Sequence, residues 1–169
     1  MRDFAEHRRK HKTQNMKTLN SKFFKKILLT IFLLSVMTSC QMNRTYQNRD
    51  EDKIEGEKFV NHFFELLKNK NYDETYKMYS PKFIAITNQE KIKEIYDFSF
   101  GKLGEIEDIN IERWETIRVE GSNPLSSYAY IYNVKRSKYA SIETFKLEKE
   151  GNEIKILSYN VNYDVTKVK

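Results

Sequence analysis

The chain has 169 residues, one cysteine and a formal net charge of +6. That length holds one domain with a real core and not two, and a lone thiol makes neither an internal disulfide nor a thiolate metal cluster, so stability must come from burial. Nine of the thirty basic and two of the twenty-four acidic residues precede Cys40, which leaves twenty-one against twenty-two beyond it and excludes the basic patch that a nucleic-acid partner needs.

Residues 1–15 are highly charged and contain no apolar run, so an export signal is expected to begin at Met16. Lys17, Lys22, Lys25 and Lys26 form a basic front, residues 27–36 an apolar run, and Met37-Thr38-Ser39-Cys40 a small-residue exit. As a helix, an apolar run of that size covers only about half of a roughly 30 Å hydrocarbon core, which favours a cleaved signal over a spanning anchor. The exit resembles the lipobox of bacterial lipoproteins, with Met37 where those proteins most often have leucine. The resemblance implies cleavage between Ser39 and Cys40 and a lipid on the Cys40 sulfur; an ordinary secretory signal or an uncleaved anchor is the alternative. Residues 1–39 are then extension and signal peptide, the polar stretch 40–51 a lipidated tether, and residues 52–169 one domain.

In that domain Ile54, Val60, Phe63, Phe64 and Leu67 recur at three- and four-residue spacing, which predicts an amphipathic helix over 52–70. A short helix over 73–78 follows, capped by Asp73 and stopped before Pro81. Residues 83–86 read as a brief strand. Asn88 caps a third helix with Ile92, Ile95, Tyr96 and Leu103 on its buried side, broken by Gly101 and Gly104.

Beyond Gly104 the period changes to two. Ile109, Ile111, Ile117 and Val119 alternate in a first long strand in which Trp114 is out of phase, so a bulge near Arg113 is expected to bring the indole to the core face. Tyr128, Tyr130, Tyr132 and Val134 mark a second strand, Glu143, Phe145 and Leu147 a third. After the Glu150-Gly151-Asn152 turn, Leu157, Tyr159, Val161 and Tyr163 mark a fourth. The charged turns at 135–138 and 148–153 are read as keeping strand edges soluble. Helices first and an antiparallel meander after them give an α+β fold, N-terminal helices packed on a curved antiparallel sheet of about four strands.

That order, with Lys70-Asn71-Tyr72-Asp73 and Tyr79-Ser80-Pro81-Lys82-Phe83 early and Glu143-Thr144-Phe145-Lys146-Leu147 and Ile154-Lys155-Ile156-Leu157-Ser158-Tyr159 late, resembles the nuclear transport factor 2-like (cystatin-like, cone-shaped) superfamily over residues 52–163. The resemblance implies helices closing one side of a concave sheet, a pocket at the mouth of the cone, and homodimers through the sheet. Some members are isomerases or dehydratases with an Asp, His or Tyr inside the cone. Here His62 lies at the edge of the apolar stripe and reads as a surface residue, and a solvated carboxylate is the preferred reading of Asp97. No metal-spaced cluster, phosphate loop or nucleophile motif is found, and no catalytic residue, metal or cofactor is assigned.

Trp114, Tyr130, Tyr132 and Tyr159 are the candidate pocket lining, or else core filling between sheet and helices. Two functions stay open. One is a membrane-anchored cell-envelope lipoprotein, a non-catalytic binding or accessory module for an envelope protein or small apolar ligand. The alternative is a small cone-fold enzyme acting on an apolar molecule. A filled cone with an apolar patch at its rim would favour the first, a buried pocket-facing acid or tyrosine the second.

Overall fold

The computed structural model describes residues 43–164 and residue 166; the expected export signal, with Ser39 and Cys40, lies outside the described residues. In chain order the elements are β1 (Arg44–Gln47), α1 (Asp50–Lys68), α2 (Tyr72–Lys77), α3 (Pro81–Ile84), α4 (Gln89–Leu103), β2 (Ile106–Glu120), β3 (Leu125–Arg136), β4 (Ser141–Glu150) and β5 (Glu153–Asn162). The fold is α+β: a short first strand and then the helices come before four long strands, and the five strands form one open antiparallel sheet in the order β1-β2-β3-β4-β5.

Helix α1 buries Val60, Phe63, Phe64 and Leu67, with Asp50, Glu51 and Asp52 in its first turn and Lys68 in its last, matching the helix dipole at both ends. Lys70 adopts a left-handed φ of 55°, and the Asn71 N–H bonds back to the Leu66 carbonyl, closing the helix. In α4 the Asn88 side chain accepts from the Lys91 N–H, the expected cap, and Gly104 at φ 89° ends the helix. Gly101 stays inside it. Ile95 is 42% exposed and Ser99 is buried in its place.

The strand read over 83–86 is instead the helix α3. Ser80 accepts from the Lys82 N–H and Pro81 stands at the first helical position, a start signal stronger than an apolar run too short to carry a period. Phe83 then stacks on Tyr79 with ring centroids 4.8 Å apart.

A fifth strand comes from the stretch read as tether. β1 pairs with Ile117–Glu120 of β2, and its four residues are too few and too polar to show alternation. The bulge expected near Arg113 is present, between Ile111 and Arg113. Because one extra residue flips the phase, Ile109 and Ile111 share a face with Trp114, Thr116 and Arg118, while Ile117 and Val119 face the open side with Leu125 and Ile131. The β2–β3 ladder shifts register again between Ile106 and Asp108, and a bulge between Lys146 and Leu147 in the β4–β5 ladder pairs Ile156 with Leu147 and leaves Leu157 partly buried. Ile156 also bonds through its backbone to Met78 and Ser80, tying the α2–α3 segment to the start of β5.

The core lies between the helices and one sheet face. Phe63 makes edge contacts with Phe64, Tyr79, Tyr96, Phe145 and Tyr159 at centroid separations of 5.1–6.3 Å, the arrangement that ring quadrupoles favour. Helix α1 approaches the sheet closely at Gly56, where an added Cβ would come within 2.8 Å of the Tyr130 ring.

Candidate functional site

The space that a cone pocket would occupy holds side chains. Tyr130, Tyr132 and Tyr159 are buried among Phe63, Phe64, Tyr96 and Phe145, and Trp114 is partly buried against the same cluster. Trp114 is the cross-strand partner of Tyr130, whose ring lies 6.1 Å from that of Tyr132. Tyr159 sits apart from these three, against Phe145 and Phe63.

Tyr159 belongs to a polar cluster inside the core. Its hydroxyl donates to Glu143 Oε2 at 2.5 Å, while Glu143 Oε1 accepts from Arg136 Nη2 at 2.6 Å and Ser141 Oγ at 2.9 Å. The Arg136 and Glu143 side chains are wholly buried. Arg136 also donates to the Gly104 carbonyl at 3.2 Å, at the end of α4, where the helix dipole favours a cation. Burial first, and then the Glu143 charge, push the Tyr159 phenol well above its ordinary range. It is a fixed donor at neutral pH.

Both Glu143 oxygens are engaged, one by the Tyr159 hydroxyl and the other by Arg136 and Ser141. Nearby, the Tyr79 and Tyr96 hydroxyls lie 2.8 Å apart, and burial raises Tyr96 to about 12.

Composition makes Arg136 look like part of a solvated turn, yet it continues the inward alternation of Tyr128, Tyr130, Tyr132 and Val134. Glu143 is in phase with Phe145. Two opposite charges at inward positions flanking one hairpin were the signal for this pair.

The other titratable candidates face water. His62 is exposed. Asp97 is half exposed and accepts from Lys93 Nζ at 2.6 Å, one turn before it on α4.

A second ionic cluster ties the start of α1 to the sheet. Asp52 accepts from Arg49 Nε at 2.9 Å and Arg118 Nε at 2.7 Å; Glu55 accepts from Tyr128 Oη at 2.8 Å and Lys149 Nζ at 2.5 Å. Burial alone would raise both carboxyls, but the hydrogen bonds from these partners outweigh it and hold both below the ordinary range.

Two of the grooves on the described residues lie between a helix and the sheet. One, about 500 Å³, runs between α4 and β5, with Ile95, Phe98, Val161 and Tyr163 in its lining; the rings of Phe98 and Tyr163 are 6.1 Å apart. The other, also about 500 Å³, runs between α1 and β2. Lys53, Glu57, Asn61, Glu65 and Lys68 line its helical side, and Ile109, Asn110, Ile111 and Tyr132 its sheet side. At one end Lys53 Nζ stands 5.7 Å from the Trp114 ring, and Tyr130 Oη donates to the Lys53 carbonyl at 2.7 Å. Of the four aromatic candidates Tyr132 lines this groove, Trp114 and Tyr130 meet Lys53 at its end, and Tyr159 is not part of it.

Among the described residues no group of three metal-ligating side chains converges, and no helix is long and apolar enough to cross a membrane. Comparison with protein-family models, with curated proteins and with solved structures gave no match.

Proposed function

We propose that the chain is a lipoprotein of the cell envelope, anchored by a lipid on Cys40, whose domain is a cone-shaped, nuclear transport factor 2-like module that binds rather than catalyses. The observation that carries the second half is the filled interior. The acid set among its rings, Glu143, is paired with Arg136 and capped by Tyr159, so the chemistry available to the domain lies on its surface. There the α4–β5 groove exposes Ile95 and Phe98, apolar area suited to an envelope protein or a small apolar ligand. The uncovered sheet face, with Leu125 and Ile142 exposed, is the surface through which two copies would pair.

The anchor rests on the basic front, the apolar run and the sole cysteine at its end. Intact mass of protein extracted from membranes in detergent, wild type against Cys40→Ala, tests it. The expected wild-type species is residues 40–169 plus acyl chains, absent from the variant; a soluble product, or a chain retaining residues 16–39, overturns the reading.

A further inference from the structure

The α1–β2 groove has properties that a mere surface crease does not need. β1 covers β2 only at Ile117–Glu120, so the same edge of β2 from Ile106 to Glu115 carries no strand among the described residues. A free edge offers unpaired backbone N–H and C=O groups to any extended chain. β1 cannot extend along it, because Asn48 adopts a left-handed φ of 51° and turns the chain into α1.

Beside that edge lies Tyr132, 1% exposed and lining the groove, whose hydroxyl has no hydrogen-bond partner among the described residues. Thr116 Oγ1 and Glu150 Oε1 share that condition, but neither lines the groove. A buried phenol left unpaired costs about 1–3 kcal/mol relative to one that is bonded, so an acceptor reaching it gains that interaction. A peptide carbonyl is such an acceptor.

Length and charge narrow the occupant. The helical side of the groove, from Lys53 to Lys68, spans roughly 22 Å at about 1.5 Å per residue, which matches about seven residues of extended chain. The free edge carries Glu107, Asp108, Glu112 and Glu115 against Arg113 alone. Glu107 is engaged by Lys135 at 2.9 Å and Asp108 accepts from Asn110 Nδ2 at 2.9 Å, and on the helical wall Lys53 pairs with Glu57 and Lys68 with Glu65, so Glu112 and Glu115 are the carboxylates along the edge that favour a cationic neighbour.

From this edge, this orphan hydroxyl and this charge we infer that the α1–β2 groove binds an extended basic peptide segment, which adds as a strand to β2 with a backbone carbonyl on Tyr132 Oη. The inference rests on the reading of the domain as a binding module and gives that module a partner class: a protein with an exposed or unstructured basic stretch. Main-chain pairing supplies affinity and the acidic edge supplies selection.

The test uses the detergent-solubilised full chain and two labelled heptapeptides, one alternating lysine and valine and one alternating glutamate and valine, at physiological salt. The lysine peptide is expected to bind at least about tenfold tighter, and its N-methylated form to lose binding, because methylation removes the strand donors. Asn61→Trp, an exposed position that leaves the unfolding midpoint unchanged, should weaken binding about tenfold by filling the groove. Tyr132→Phe should weaken it about fivefold, the size of one neutral hydrogen bond. Amide exchange should slow within residues 106–115 on binding.

Equal binding of the two peptides, indifference to Asn61→Trp, or unchanged exchange along β2 overturns the inference. If Phe98→Arg abolishes peptide binding while Asn61→Trp does not, the binding-module reading survives and this site falls. If neither peptide binds, the peptide inference falls alone, since the anchor is judged separately by mass.

Discussion

The domain holds two ionic clusters of similar composition in opposite surroundings. Arg136, Ser141, Glu143 and Tyr159 are sealed in the core, whereas Arg49, Asp52, Glu55, Arg118, Tyr128 and Lys149 lie at its edge, with the arginines and lysine partly in water. In the interior neither charge can be lost without stranding the other, so the pair acts as a lock on the β3–β4 hairpin and on the end of α4. At the edge each carboxylate has more than one cation within reach, and solvent screens what is lost. Ion pairs of the same chemistry therefore serve different ends, and perturbation should tell them apart.

The largest effect is expected inside. Glu143→Gln leaves the Arg136 charge buried without a counter-ion and should lower unfolding free energy in urea by about 3–5 kcal/mol. A loss no greater than that of an exposed substitution would mean the cluster is not closed. Tyr159→Phe removes one charged hydrogen bond while keeping the ring contacts, for an expected loss of roughly 1.5–3 kcal/mol.

At the edge the response should depend on pH. Asp52 and Glu55 titrate below their ordinary values in the folded state, so their stabilisation is present above about pH 4 and is lost as pH falls through the depressed values. Asp52→Asn should cost roughly 1–2 kcal/mol at neutral pH by loss of its charge-assisted bonds, and should flatten the acid limb of the stability profile. The interior sets the other limb. Tyr79, Tyr96 and Tyr159 are all raised, so their contribution is intact below about pH 10 and falls as pH climbs beyond it. Denaturation midpoints measured from pH 3 to 11 would separate the two limbs.

The smallest effect sharpens the comparison from a third side. Tyr132→Phe removes a hydroxyl that has no hydrogen-bond partner among the described residues and should leave stability within about 0.5 kcal/mol, or raise it, in contrast to Tyr159→Phe in the same core.

Much of the fold was legible because long elements repeat their signal. Val60, Phe63, Phe64 and Leu67 set the first helix, Asn88 capped the last one, and the out-of-phase Trp114 located a bulge that tertiary pairing alone could have hidden. The bulge also redirected Ile117 and Val119, since a period-two pattern read across it joins two faces into one. β1 was invisible, because Arg44-Thr45-Tyr46-Gln47 has no apolar face to bury and is a strand only through pairing. α3 was misread because four residues cannot display a helical period, although Ser80-Pro81 announced it.

The candidate site was partly legible. Of the four aromatic candidates only Tyr132 lines the α1–β2 groove, and the polar residues of α1 that form the groove's wall carry no signal of their own in a helix recognised by its apolar stripe. Arg136 was missed because its neighbours Lys135, Ser137 and Lys138 make the segment look like a solvated turn; phase, not composition, marked it as inward.

The short first strand changes how far an anchored domain can wander. Asn43 is held to the β2–β3 turn, accepting from the Ser122 backbone and hydroxyl at 3.0 and 3.2 Å, and Cys40 precedes Arg44 by only four residues. A fully stretched chain of that length reaches about 14 Å, where an unstructured stretch to Glu51 would reach roughly 40 Å. If Cys40 carries the proposed lipid, the domain would be moored at the height of the headgroups and would not sweep the space above them. Its encounters would then be those of a surface-bound body, and a partner confined to the same membrane would meet it at a high effective concentration even when each contact is weak.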